Sequence, residues 1–179
     1  MSEQSFSLKP FSSDVPPPSI AINGTIERSA PLITVRYALV GHLPDIAFPH
    51  PVDTPSRKDR LWEETCFELF LAVKNATEYW EFNLSPAGHW NVYHFTEYRH
   101  GMREERVLSS LPFQVRNGPE SFMLAVEFDV EKIMPSGRSL EVGITAVMKQ
   151  KGGRITYWAL THSAPQPDFH RRDSFIIGL

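Results

Sequence analysis

Four polar side chains give this sequence its first chemical suggestion: Arg36, Glu68, Glu81 and Asn83 each interrupt a run of alternating apolar residues. In 65–72 (TCFELFLA), Phe67, Leu69 and Leu71 share one phase, and Cys66, Glu68 and Phe70 share the other. In 79–85, Trp80, Phe82 and Leu84 alternate with Tyr79, Glu81 and Asn83. A period of two belongs to a strand, so the polar residues lie on the side turned away from the apolar set. If the apolar phases of 32–40, 65–72 and 79–85 fill one core, then Arg36, Glu68, Glu81 and Asn83 share a polar sheet surface rimmed by Phe70 and Tyr79. Such a surface suits a sugar. Carboxylates, an amide and a guanidinium form paired hydrogen bonds to vicinal hydroxyls, while aromatic rings cover the C–H patches of the pyranose. The same pattern also describes a solvated sheet face with cross-strand ion pairs. Trp90 and Tyr93, with Trp62 and Tyr98, offer either stacking surface or core packing. His162 and His170 flank a Pro-rich stretch, 163–169, that either closes over a ligand or caps the fold.

Other chemistry finds less to work with. Glu68 and Glu81 on neighbouring strands could approach the roughly 5–5.5 Å of a retaining glycosidase pair, but the same two carboxyls equally serve to bind hydroxyls. Glu63 and Glu64 are adjacent in sequence, so on a strand they point to opposite faces and do not share a site. His89, His94 and His100 lack a metal-ligand spacing, and no H-E-x-x-H or Cys-based zinc signature occurs. Cys66, within an apolar strand, reads as a small buried side chain rather than a nucleophile. No nucleophile elbow, phosphate-cradling loop or dinucleotide fingerprint is present. No catalytic residue and no metal site is assigned.

The elements that must position these residues are strands. Alternation marks 32–40, 65–72, 79–85, 122–129 and 140–148, and Ser85-Pro86-Ala87-Gly88 joins 79–85 to WNVYHF in a hairpin over 79–95. A turn at 151–154 precedes ITYWAL, and the apolar SFIIGL predicts a last strand. Segments 6–8 and 20–26 read as further strands, separated by Val15-Pro16-Pro17-Pro18. Only 129–134 suggests a helical turn, and 43–60, with its prolines, reads as one long surface loop. The fold class expected is all-β: a two-sheet antiparallel β-sandwich, immunoglobulin-like or jelly-roll-like, of about eight to ten strands with little helix. At 179 residues the chain is expected to form one domain spanning 1–179. A formal net charge of -3 offers no attraction for nucleic acid or anionic membrane, so neither partner is expected. The single cysteine and an N-terminus without a basic head or apolar core predict a cytoplasmic location.

Three blocks carry a family resemblance: 61–71 (LWEETCFELFL), 79–93 (YWEFNLSPAGHWNVY), and 157–160 (YWAL) taken with 167–170 (PDFH). Together they resemble bacterial DOMON-like domains, relatives of family 9 carbohydrate-binding modules, over nearly the whole chain. The resemblance implies a two-sheet sandwich whose concave face holds sugar or haem, generally without reaction chemistry. It picks out Glu68, Glu81 and Asn83 again, with Arg36 as a neighbour. The chain is expected to differ from family 9 modules in standing alone, and its sequence does not identify an aromatic clamp. The expected function is therefore non-catalytic binding of a small polar ligand, foremost a carbohydrate, by Arg36, Glu68, Glu81, Asn83, Tyr79, Trp90, Tyr93 and His162. No cofactor is expected on that reading. The alternative is a haem-binding electron carrier, for which Met102, near His100, and His162 are the axial candidates.

Overall fold

Strand formation follows the alternating apolar residues closely in a computed structural model that describes residues 3–179. Among the described residues there are twelve strands: β1 (Gln4–Pro10), β2 (Ile20–Ser29), β3 (Leu32–Gly41), β4 (Cys66–Val73), β5 (Tyr79–Leu84), β6 (Trp90–Phe95), β7 (Arg103–Glu104), β8 (Phe113–Asn117), β9 (Ser121–Asp129), β10 (Leu140–Lys149), β11 (Ile155–Ala159) and β12 (Ile177–Gly178). All pair antiparallel. The front sheet runs β7-β6-β5-β4-β10-β11, with β12 also on β10, and the back sheet runs β8-β9-β3-β2-β1. β1 belongs to both: Gln4 to Leu8 pair with β2, while Lys9 and Pro10 pair with Ala159 and Trp158 of β11. The result is one curled sheet folded onto itself, an all-β sandwich as the alternation predicts.

The core lies where the apolar phases face one another. Ile33, Val35, Tyr37 and Leu39 from β3 meet Phe67, Leu69 and Leu71 from β4 and Trp80, Phe82 and Leu84 from β5. Phe67 stacks on Phe122 of β9 at 5.2 Å, and Phe82 packs on Phe128 at 4.5 Å. Removing each such ring from water contributes about 1.5–3 kcal/mol. Tyr37 reaches across from the back sheet and donates a hydrogen bond of 2.7 Å to the Glu68 carbonyl, which ties the two sheets directly behind the candidate site.

The two outer faces differ. On the back sheet, alternate residues are exposed, as for an antiparallel sheet covered on one side. β4, β5 and β6 are instead buried along their whole length, because further chain covers the outer side of the front sheet. That cover comes from a short 3-10 turn at Leu61–Glu63, the 96–102 turn and the segment 163–175. Under it a second apolar cluster forms from Phe70, Ala72, Tyr79, Tyr93, Phe95 and Phe175.

Three expectations change in detail. SFIIGL does not form a full strand: Arg172–Ser174 is a 3-10 turn, Phe175 turns inward onto Phe70, and only Ile177–Gly178 joins β10. Gly143 on β10 makes room for that ring, since a Cβ there would sit 2.8 Å from Phe175. β8, which the sequence reading leaves unassigned, pairs with β9 at the back-sheet edge. The long loop 43–60 is pinned rather than free. Its Arg57 lies 4.3 Å over the Trp90 ring and donates to Asn91 at 2.6 Å and to the Leu108 carbonyl at 2.6 Å.

Candidate binding site

Register brings the carboxyls together. Glu68 of β4 sits opposite Asn83 of β5 and opposite Thr145 of β10; Glu81 of β5 sits opposite Phe70 of β4 and Tyr93 of β6. Glu68 and Glu81 are thus diagonal neighbours on the outer face of the front sheet. Both are buried, at 2% and 5% exposure. They form the floor of a cavity of ≈ 520 Å³. Phe70, Phe95, Val147 and Tyr157 complete the floor from four strands, and Trp62, Arg99, Met102, Gln166, Pro167, Phe169 and His170 cover it from the loops.

Hydrogen bonding to the floor is sparse. Thr145 Oγ1 donates to Glu68 Oε2 at 3.0 Å, and Asn83 Nδ2 donates to Glu81 Oε1 at 2.9 Å. Among the described residues no other side chain donates a hydrogen bond to either carboxyl, and an ionised carboxylate has room for about four. Burial is the main reason that both carboxyls hold their protons well above the ordinary carboxylate range. For Glu68 the nearby Glu81 charge adds to the rise, and the Thr145 hydrogen bond works against it.

His170 faces Glu81, with Nε2 3.8 Å from Oε2. Its ring is held through Tyr79. The Arg99 backbone N–H donates to Tyr79 Oη at 3.1 Å, and the same oxygen shares a hydrogen bond of 2.8 Å with His170 Nδ1. Burial, together with the Arg99 charge, lowers the His170 pKa to about 4, so the imidazole is neutral at physiological pH. Arg99 is held from the other side: Asp168 accepts from Arg99 at 2.8 Å, from the Tyr98 hydroxyl at 2.5 Å and from the His170 N–H at 3.2 Å. This joins the 96–102 turn to the 163–170 loop, and the pair forms a strap across the cavity.

Of the eight residues singled out in the sequence, Glu68 and Glu81 line the cavity. Three more stand behind it: Asn83 holds Glu81, Tyr79 holds His170, and Tyr93 lies edge-on to Trp62 at 5.7 Å while donating to Asp59 at 2.6 Å. The other three lie elsewhere. Arg36 has the predicted outward phase, but β3 belongs to the back sheet, so its outer face is on the opposite side of the molecule; Arg36 pairs there with Glu3 at 3.6 Å. Trp90 is in phase with Val92 and points into the core. His162 Nε2 binds the Lys9 carbonyl at 2.9 Å, and its ring packs on Phe11. Of the proposed haem ligands, Met102 lines the cavity and His162 does not, so the structure does not bring that pair to one site.

The sequence leaves 163–169 open between covering a ligand and capping the fold, and selects neither His170 nor Phe169, because loops carry no period; the structure places Gln166, Pro167, Phe169 and His170 over the cavity. Phe95, Val147 and Tyr157 were findable. Each occupies the outward phase of a strand next to a residue of the core phase.

The fold built from these strands is similar to that of solved carbohydrate-binding proteins, two family 9 modules among them. A candidate carbohydrate-binding protein from Bacteroides uniformis superposes with a TM-score of 0.72 at 15% identity, over 96% of this chain and 83% of its own. A family 9 module from Caldicellulosiruptor kristjanssonii in complex with cellotriose gives 0.55 at 8% identity, over 90% of this chain and 74% of its own. The same type of module from that organism in complex with glucose gives 0.51 at 10% identity, over 84% and 71%. No family model matches the chain, and no curated protein matches it in sequence. At these identities the likeness is one of fold.

Proposed function

We propose that the chain is a non-catalytic carbohydrate-binding domain that takes a mono- or disaccharide into the cavity over β4 and β5. The observation that carries this reading is a pair of buried carboxyls with unused acceptor positions, set among the rings of Trp62, Phe70, Phe95, Tyr157 and Phe169. That combination suits a ring with hydroxyls at its edge and C–H groups on its faces. A volume of ≈ 520 Å³ falls within the range of small-molecule sites. The fold shared with modules solved in complex with glucose and cellotriose adds support.

Titration calorimetry against a panel of mono- and disaccharides tests the reading. Saturable heat is expected, with quenching of Trp62 fluorescence and no release of product. Trp62→Ala should weaken binding about tenfold or more, the loss of one stacking ring, about 1.4 kcal/mol. Flat traces across the panel would overturn the proposal, and a stoichiometric haem complex with a Soret band would replace it.

A further inference from the structure

We propose that the sugar bound here carries a protonated amine, as a hexosamine does, and that Glu68 and Glu81 together form the subsite for that ammonium group. This rests on the sugar-binding reading of the same cavity and narrows its ligand class.

The argument is a charge inventory of everything that faces the pair. Two carboxyls face the cavity from β4 and β5; Thr145 from β10 contributes only a hydroxyl, and Tyr157 from β11 only a phenol. From the covering loops come His170, a neutral imidazole, and Arg99. The Arg99 guanidinium is half exposed and engaged by Asp168 at 2.8 Å; its charge favours ionised Glu81 from a distance, without an ion-pair contact. Among the described residues, no lysine and no second arginine lines the cavity. The floor is therefore acidic, and no cation makes an ion pair with Glu68 or Glu81 among the described residues.

A neutral sugar would offer hydroxyl donors to Glu68 and Glu81 without the opposite charge. An ammonium group offers three donors and a positive charge on one compact head, which matches two partly satisfied carboxylates on neighbouring strands. A sugar acid or sugar phosphate brings no positive charge to the carboxyls, and an N-acetylated sugar has lost the cation. The carboxyls hold protons tightly when the cavity holds no cation, so seating an ammonium should ionise them and expel a proton to solvent. A hydroxyl in the same place would not.

Calorimetry at pH 7 with matched ligands tests this: glucosamine, glucose and N-acetylglucosamine; galactosamine and galactose; and the β-1,4 dimers of glucosamine and of glucose. At least one amine is expected to bind about 30-fold tighter than its hydroxyl counterpart, about 2 kcal/mol. Its heat should vary with the ionisation enthalpy of the buffer, reading release of close to one proton. Glu68→Gln and Glu81→Gln, which preserve shape, should each abolish the preference. If neither variant folds, the proton release of the unaltered protein decides alone. Equal or tighter binding of the hydroxyl sugars overturns the amine subsite and leaves the sugar reading standing. No binding by any sugar overturns both. Cyclohexylamine binding as tightly as glucosamine would also overturn the proposal, since a charge site indifferent to hydroxyls is not a sugar site.

Discussion

Glu68 and Glu81 are costly residues to keep under cover, and their cost has a direction with pH. Their folded pKa values lie above the unfolded values of about 4.3, so over that interval the folded chain holds more protons than the unfolded one. The pair's contribution to stability is therefore lost as pH rises from about 4.3 toward neutrality. His170 works oppositely: lowered to about 4, it is neutral in the fold while an unfolded histidine is still protonated, so its effect favours the fold as pH climbs to about 6.5. Subtraction separates the two. In the Glu68→Gln, Glu81→Gln double variant, melting temperature should exceed that of the parent by a margin that widens between pH 5 and 7. Parallel melting curves across that interval would show that the two carboxyls are not desolvated as described. Cys66 belongs to the same buried layer, its thiol pushed up by burial and by Glu68, which leaves it a packing residue rather than a nucleophile.

At the scale of elements, the feature that matters is the strap. Segment 163–170 has no regular structure and is fixed by few bonds, chief among them those of Asp168 to Arg99 and Tyr98. Partly exposed pairs of this kind contribute about 0–1 kcal/mol, so loosening the strap should leave the sandwich folded. In Asp168→Ala, backbone amides of 163–170 should exchange with deuterium faster, those of β4 and β5 should not, and bound sugar should dissociate faster. Unchanged exchange in 163–170 would show that the loop is held by its packing instead. This element is hard to read from sequence, because nothing periodic links Arg99 to Asp168 across 69 residues. The strands were legible because Phe67, Leu69 and Leu71, or Trp80, Phe82 and Leu84, must share a side whatever their partners. Phase tells which side of its own sheet a residue takes. It does not tell to which sheet the strand belongs, and for that reason Glu68 and Glu81 were placed correctly while Arg36 was not. Trp90 was misplaced for a different reason: it follows a turn, where phase is only set by Val92 beyond it.

Over the whole molecule, the asymmetry of cover separates scaffold from site. The back sheet meets solvent directly, whereas the front sheet carries a third layer of loops, and the cavity lies between sheet and loops rather than in the main core. Cavity-lining residues can therefore vary without disturbing the Phe67, Phe82, Phe122 and Phe128 packing that joins the sheets. β1 has a different importance. By bonding to β2 with one end and to β11 with the other, it acts as a seam, and opening it bares an edge on each sheet at once. Two unpaired edges are templates for strand addition by another chain. A chain lacking residues 3–10 should accordingly self-associate as its concentration rises, visible as growing sedimentation coefficients, while the intact chain does not use those edges. The first strand thus guards the domain against its own copies.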